Sequence, residues 1–259
     1  YKKYGMLNTI KYISLGSIKR LKLKILKLCN INIFTSKYGF QMKLDWNDVN
    51  SEWMYYDQYG NTEHAKFLLN YNKPFNLIDI GANYGYYSLL SISNQYCKKV
   101  ICFEPVNTIF KNLNENFLIN NFDKKKFALH NFAISKKSGN DYIFFNPKHS
   151  GASSLNYRNN NHIKKIEVNL INHVQLNQII SKVKNIIIKI DVEGHEEIVI
   201  NEIFKCAFSD NIDVIIYECN DDWSNEKKIN DLLKKQNFIY FKKFFNGSYS
   251  DIIASKKTI

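Results

Sequence analysis

The stretch that most constrains this chain is NLIDIGANYGYYSLL, residues 76–90. NLIDI reads as a buried strand, the glycines Gly81 and Gly85 mark a tight turn, and residues 84–95 suit a helix. A strand running through a glycine turn into a helix opens a βαβ unit, and repetition of that unit commits a chain to a parallel sheet covered by helices. The rhythm repeats. KKVICFEP is a second strand and TIFKNLNENFLINN a helix with Phe110, Leu113, Phe117 and Leu118 on one side. KFALHNFAIS is a third strand. Residues 141–170 interrupt the pattern with two strand-like pieces, DYIFFN and IEVNLI, around the polar segment SGASSLNYRNNN. NIIIKI, EEIVINEIF and DVIIYE then restore strand, helix, strand, and a helix follows near residues 225–236. At the end, FIYFKKFF and SYSDIIAS flank Asn246 and Gly247, the strongest short hairpin signal. The expected fold is therefore α/β, Rossmann-like, mostly parallel, closing with a C-terminal antiparallel hairpin.

Before this core, GNTEHAKFLLNYN predicts a helix from about Thr62 to before Pro74, and residues 31–60 a short β segment and loop. Residues 7–28 read as a basic amphipathic helix, with Leu7, Ile10, Ile18, Leu21, Ile25 and Leu28 near helical spacing. It is expected to pack on the main domain with its lysines solvated; a membrane-surface or partner contact is the alternative. The division expected is a basic extension and lead-in over 1–59 and one domain over 60–259. Because the chain starts at Tyr1, a fragment of a longer protein is expected.

The 259 residues carry a formal net charge of +12, and no Asp or Glu precedes Asp45. Such a balance suits nucleic acid, an anionic membrane surface or a phosphorylated substrate. The excess sits in the N-terminal segment, which weakens a nucleic-acid reading of the core. Cys29, Cys97, Cys102, Cys206 and Cys219 show no C-x-x-C spacing, an odd set that suits reduced thiols in the cytoplasm. No apolar run is long enough to span a membrane, and the N-terminus lacks a signal-peptide core.

The chemistry concentrates at strand ends. The glycine loop runs Asp79, Gly81, Ala82, Asn83, Gly85, without the G-x-G of a dinucleotide site. A carboxylate ahead of the glycines suits a cationic ligand better than a pyrophosphate. The next strand ends in Glu104, followed by Pro105, where a carboxylate can accept both hydroxyls of a ribose. Helix capping by Asp79 and a solvent-facing Glu104 form the bland alternative. The fourth strand ends in IKIDVEGHEE, crowding Asp191, Glu193 and His195 where open α/β sheets bind ligands. Capping of the next helix explains the glutamates better than it explains Asp191 and His195. Glu218 and Asn220 end the fifth strand, so Asp191, Glu218 and Asn220 form a candidate oxygen-ligand set for Mg²⁺ or Mn²⁺.

At these residues the chain resembles the FkbM family of S-adenosylmethionine (SAM)-dependent methyltransferases, and its closing hairpin resembles the end of the class I SAM-methyltransferase sheet rather than an all-parallel dinucleotide fold. IDIGANYGYYSL, VICFEPVNTIFKNLNENF, FAIS, GASSL and IIKIDVEGHEEIV occur in the family's order, over roughly residues 60–220. The resemblance implies SAM as cofactor, held by Asp79, Gly81, Ala82, Asn83, Gly85, Tyr86, Tyr87, Ser88, Glu104 and Pro105, with Ala133 and Ser135 near the adenine. It implies O-methylation, with Asp191, Glu193 and His195 facing the methyl group and acceptor. The acceptor it implies is a sugar hydroxyl, on a nucleotide-linked sugar or a surface-glycan precursor such as capsular polysaccharide. An alcohol needs a base or a metal to lose its proton, and His195 is the first base expected because imidazole titrates near neutrality. The segment 146–162 is expected to roof the acceptor, with Ser153, Ser154, Tyr157 and Arg158 offering hydroxyls and a guanidinium fork. An RNA methyltransferase, a dinucleotide oxidoreductase and a non-catalytic interaction module are the rival readings.

Overall fold

The computed structural model describes residues 17–155, 163–220, 224–246 and 249–258. A seven-stranded sheet forms the centre. Its parallel part comprises β3 (Phe75–Ile80), β4 (Cys97–Phe103), β5 (Phe127–His130), β9 (Ile186–Ile190) and β10 (Ile212–Asn220). β11 (Tyr240–Asn246) and β12 (Tyr249–Ser255) complete it, in the order β11-β12-β10-β9-β3-β4-β5. β12 runs antiparallel to both β10 and β11, so the closing hairpin inserts its second strand beside the parallel core. This is the class I SAM-methyltransferase sheet. Asn246 pairs with Tyr249 in the ladder, which shifts the connection one residue beyond the expected Asn246–Gly247 pair; residues 247 and 248 lie outside the described residues.

The parallel strands read as apolar runs because both faces are covered. β9, IIIKI, is buried at every position. One face meets α3 (Glu63–Asn70), α4 (Tyr86–Ile92) and α5 (Asn107–Leu118), whose Leu68, Leu89, Leu90 and Leu113 join Leu77, Val100, Ile187 and Ile216 in one cluster. The other packs on α6 (His173–Ile179), α7 (Glu196–Phe204) and α8 (Glu226–Lys234) through Ile78, Ile188, Val199, Ile200, Leu233 and Ile252. α3 starts where its sequence says it should, with the Thr62 hydroxyl accepting from the Ala65 N–H.

Two expectations are corrected. FALHNFAIS is two strands, because the chain leaves the main sheet at Asn131, whose side-chain amide donates to the carbonyls of Glu104 and Pro105. The continuation, β6 (Ala133–Ile134), joins a second sheet of order β6-β8-β7 with β7 (Gly139–Phe145) and β8 (Lys164–Ile171). The lead-in is also part of the core. A hairpin of β1 (Ile33–Thr35) and β2 (Gln41–Lys43) leads to α2 (Val49–Tyr55), and Phe40, Met42, Leu44 and Met54 are buried in the same cluster as Leu89 and Ile216.

Ahead of it a helix, α1, covers residues 17–28. Its expected inward positions do not pack: Ile18, Leu21, Ile25 and Leu28 are exposed, while Leu23 is the buried one. The Lys27 ammonium pairs with Glu52 of α2. Leu7 and Ile10 lie outside the described residues. No described helix is long and apolar enough to cross a membrane.

Candidate active site

β3, β4 and β9 end side by side, and a cleft opens at their carboxyl ends. Its floor is the turn after β3. Gly81 has φ +79°, and a β-carbon there would stand 1.9 Å from the Asp191 carbonyl oxygen, so only glycine lets the two loops meet. The Asp191 N–H donates to the Ile80 carbonyl at 3.0 Å, and the Gly81 and Ala82 N–H groups both donate to Phe103. Asn83 follows in the left-handed region at φ +50°. One wall is Glu104. Its two carboxylate oxygens accept from the N–H groups of Asn83 and Val106, each at 2.9 Å, which fixes the carboxylate at the cleft edge. Burial, against those two hydrogen bonds, pushes its pKa up to about 7.

A row of charge runs along the floor, where Lys189 and Asp191 line the cleft and Asp79 lies beneath. Lys189, the single ionisable residue of β9, lies 3.6 Å from Asp79 and 3.1 Å from Asp191, with its ammonium 4.8 Å from the centre of the Tyr87 ring. Burial disfavours its charge, but Asp191 and Asp79 outweigh that and hold the lysine above its ordinary value. Asp79 itself is fully buried and accepts from the Ser88 hydroxyl at 2.6 Å.

The loop after β9 supplies the opposite wall. Glu193 at φ +53° and Gly194 at φ +97° turn the chain sharply. The Ser154 hydroxyl donates to the Glu193 carbonyl at 2.7 Å, tying that turn to the segment between β7 and β8. His195 caps α7 without a side-chain cap bond; its Nε2 lies 3.1 Å from the Ser135 hydroxyl, and its buried Nδ1 has no hydrogen-bond partner among the described residues. Burial, helped by Lys136, lowers its pKa to about 4. The expectation of an imidazole titrating near neutrality is thereby corrected: burial in this wall keeps the ring neutral.

A second cleft adjoins the first. Tyr59, Tyr87, Gly151, Asp191 and Glu193 line both. The second adds Trp53, His64, His149, Glu218, Tyr249 and Asp251. Ser150 knits its rim: its hydroxyl accepts from Asn50 at 2.9 Å and Asn83 at 3.0 Å, and its N–H donates to Asp48 at 3.2 Å.

Of the residues expected to touch a cofactor, Gly81, Ala82, Asn83, Tyr86, Tyr87, Glu104, Pro105 and Ala133 line the first cleft. Asp79, Ser88, Gly85 and Ser135 do not. Asp79 and Ser88 are sealed beneath the floor, Gly85 turns toward Leu113, and Ser135 faces His195. Asp191, Glu193, His195 and Ser153 line it, whereas Ser154 bonds the Glu193 carbonyl; Tyr157 and Arg158 lie outside the described residues. Asp191, Glu218 and Asn220 share the second cleft, yet the described residues hold no group of three or more His, Cys, Asp or Glu placed to bind a metal. Asp191 also faces the Lys189 ammonium. Sequence reasoning missed Lys189, His64, Trp53 and Asp251. Lys189 carried a signal, a lone charge inside an isoleucine run.

A family model described as the methyltransferase FkbM domain matches residues 79–240, more than half of the chain. Similar solved structures include a putative tRNA (m1A22) methyltransferase of Streptococcus pneumoniae, with 12% identity over 75% of this chain and 69% of that one, at a TM-score of 0.47. TrmK of M. capricolum, solved with S-adenosyl-homocysteine, shows 14% identity over 76% and 68%, also at 0.47. A ribosomal protein L11 methylase of Lactobacillus delbrueckii subsp. bulgaricus shows 14% identity over 81% of each chain at 0.44. No functionally curated protein sequence matches the chain.

Proposed function

Because this chain belongs to the FkbM methyltransferase family, we propose that it transfers a methyl group from SAM to a hydroxyl of a sugar. The observation that carries this reading is the meeting of two clefts at Asp191 and Glu193. The first cleft fits SAM. Glu104 offers fixed carboxylate oxygens to a ribose, and Gly81 lets backbone approach where any side chain would collide. Bound there, SAM supplies a methyl group already activated as a sulfonium, so the chain's own task is to hold the acceptor and take up its proton.

Asp191 is the group we assign to that proton. It stands at the junction, its side chain remains about a third exposed, and Lys189 fixes its orientation from below. His195, its ring turned to the Ser135 hydroxyl in the opposite wall, serves to position that wall. Glu193 shapes the same wall through its turn. The second cleft sets the rings of Trp53, Tyr59 and Tyr249 beside carboxylates, which suits a sugar's C–H face and its hydroxyls. The sugar ring would enter with any nucleotide or glycan carrier outside. Five free thiols, four of them buried, suit a reaction in the cytoplasm.

Calorimetric titration with SAM, with NAD as control, tests the donor half. Saturable SAM binding without NAD binding is expected, and binding of NAD alone would overturn the reading. Labelled-methyl transfer to nucleotide sugars, with tRNA as the comparison acceptor, tests the rest. Methylation of tRNA alone would replace the sugar with RNA. Asp191→Asn should lower kcat by about 100-fold or more while leaving SAM affinity within a few-fold, as expected for loss of a general base.

A further inference from the structure

The basic helix ahead of the core turns its apolar side to solvent. At about 100° per residue, Ile18, Leu21, Ile25 and Leu28 of α1 fall within an arc of about 80°, and Leu23 lies on roughly the opposite side of the helix. Leu23 is the one that packs inward, whereas Ile18, Leu21, Ile25 and Leu28 are exposed by 62, 61, 49 and 86%. Two further contacts hold the helix in that orientation. The Lys27 ammonium pairs with Glu52 of α2, and the Trp46 indole N–H donates to the Ile31 carbonyl at 3.0 Å, just past the helix end. The Ile31 N–H closes the helix on the Leu26 carbonyl at 2.8 Å. The stripe is thereby held away from the body. Basic residues border it: Lys22 falls on one flank, Arg20 and Lys24 on the other, and all three are exposed. α1 contains no Asp or Glu, and none precedes Asp45. Single exposed aliphatics are ordinary, but an aligned stripe edged with cations marks a surface that something covers.

We propose that α1 docks the protein on a bilayer containing anionic phospholipid. The helix lies in the plane of the interface, with Ile18, Leu21, Ile25 and Leu28 among the acyl chains and Arg20, Lys22 and Lys24 against the phosphates. The pairing of the two features selects this occupant. An aliphatic stripe gains by leaving water, and the cations beside it gain where negative charge lines the same boundary. RNA meets the second need and not the first: its backbone offers nothing to aliphatic side chains, and α1 has no aromatic ring on which a base could stack. A second copy meets the first and not the second. Two such helices face to face would oppose Lys19, Arg20, Lys22 and Lys24 to the same residues, with no acid on either helix. The helix is not long and apolar enough to cross the bilayer, so the contact is peripheral. It lies outside residues 79–240, the part that matches the methyltransferase family, and stands apart from the choice of acceptor.

The test is flotation of the full chain with vesicles of phosphatidylcholine alone, or with about a third phosphatidylglycerol, at about 0.1 M and about 0.5 M salt. Affinity for the anionic vesicles should exceed that for the neutral ones by at least about 10-fold, and should weaken by about as much at the higher salt, since each basic residue near the surface contributes about five-fold. Leu21→Ser with Ile25→Ser in one variant, and Lys22→Gln with Lys24→Gln in another, should each lower vesicle affinity by at least about 10-fold. Far-UV circular dichroism and melting temperature should stay parental in both, because all four side chains are exposed. Equal binding to neutral and anionic vesicles, or anionic binding that both variants retain, would overturn the inference. So would three results without vesicle binding. A dimer in sedimentation that Leu21→Ser with Ile25→Ser dissociates would give the stripe to a second copy. A monomer throughout would give it to the chain's own residues 1–16. Salt-sensitive binding of single-stranded RNA would give the cations to nucleic acid.

Discussion

Gly81 and Glu104 are the two residues on which the first cleft depends. At Gly81 a single methyl group would meet the Asp191 carbonyl at 1.9 Å, in a backbone conformation that L side chains rarely adopt. Gly81→Ala should therefore cost at least about 2 kcal/mol of folding stability, read by chemical denaturation, and abolish SAM binding. A variant as stable as the parent would show that the two loops can part. Glu104 acts through charge instead. Its carboxyl, raised to about 7, must be ionised to accept two hydroxyls, so SAM affinity should fall as pH drops below 7. Glu104→Gln should weaken SAM by about 10- to 100-fold and flatten that pH dependence. Unchanged affinity by calorimetry would take Glu104 out of the cofactor site.

Among elements, β9 carries most of what is unusual. An ammonium buried in the middle strand is tolerable because two carboxylates and a ring face surround it. Lys189→Met removes the cation and leaves Asp79 buried without it; a loss of about 3–5 kcal/mol is expected on denaturation. A neutral outcome would mean that Asp79 takes up a proton at little cost. The strand–helix alternation was legible because its signal is local: apolar runs, glycine turns and the Thr62 cap each act within a few residues. α6 went unread although its capping box, Asn172 with Gln175, stands in the sequence. The row Asp79–Lys189–Asp191–Glu218–Asp251 was legible only in part. Asp191 and Glu218 showed themselves at strand ends, but Asp251 lies inside a strand, and the register that sets it beside Glu218 is not local information. His195 was read as a residue type, whereas its pKa is set by how deeply the fold buries it.

At the scale of the whole molecule, the raised carboxylates make stability depend on pH. A carboxylate whose folded pKa exceeds its unfolded value binds a proton more tightly when folded. Its contribution is complete below the unfolded value, near 4.5, and is lost as pH rises through the folded one, about 7 for Glu104 and about 9 for Glu218. The buried histidines act the other way up to about pH 6.5, since His64 and His195 are lowered to about 3 and about 4, so the melting temperature should fall between pH 7 and pH 9. Glu218→Gln should reduce that fall by at least about 2 °C, equivalent to about 1 kcal/mol for a chain of this size. A fall of the same size in the variant would assign the pH dependence elsewhere. The lead-in packs into the same core, since Phe40, Met42 and Leu44 are buried, with Phe40 against Tyr86 of α4 and β2 against α5.

The small sheet of β7 and β8 works as a handle. It holds the segment 146–163 from β7 and β8, and in the described part of that segment Ser150 and Ser154 contact Asp48, Asn50, Asn83 and Glu193. None of the main-sheet strands passes through that segment. A lineage could thus rewrite the tip, one surface excursion at a time, and acquire new acceptors while inheriting its donor machinery unaltered.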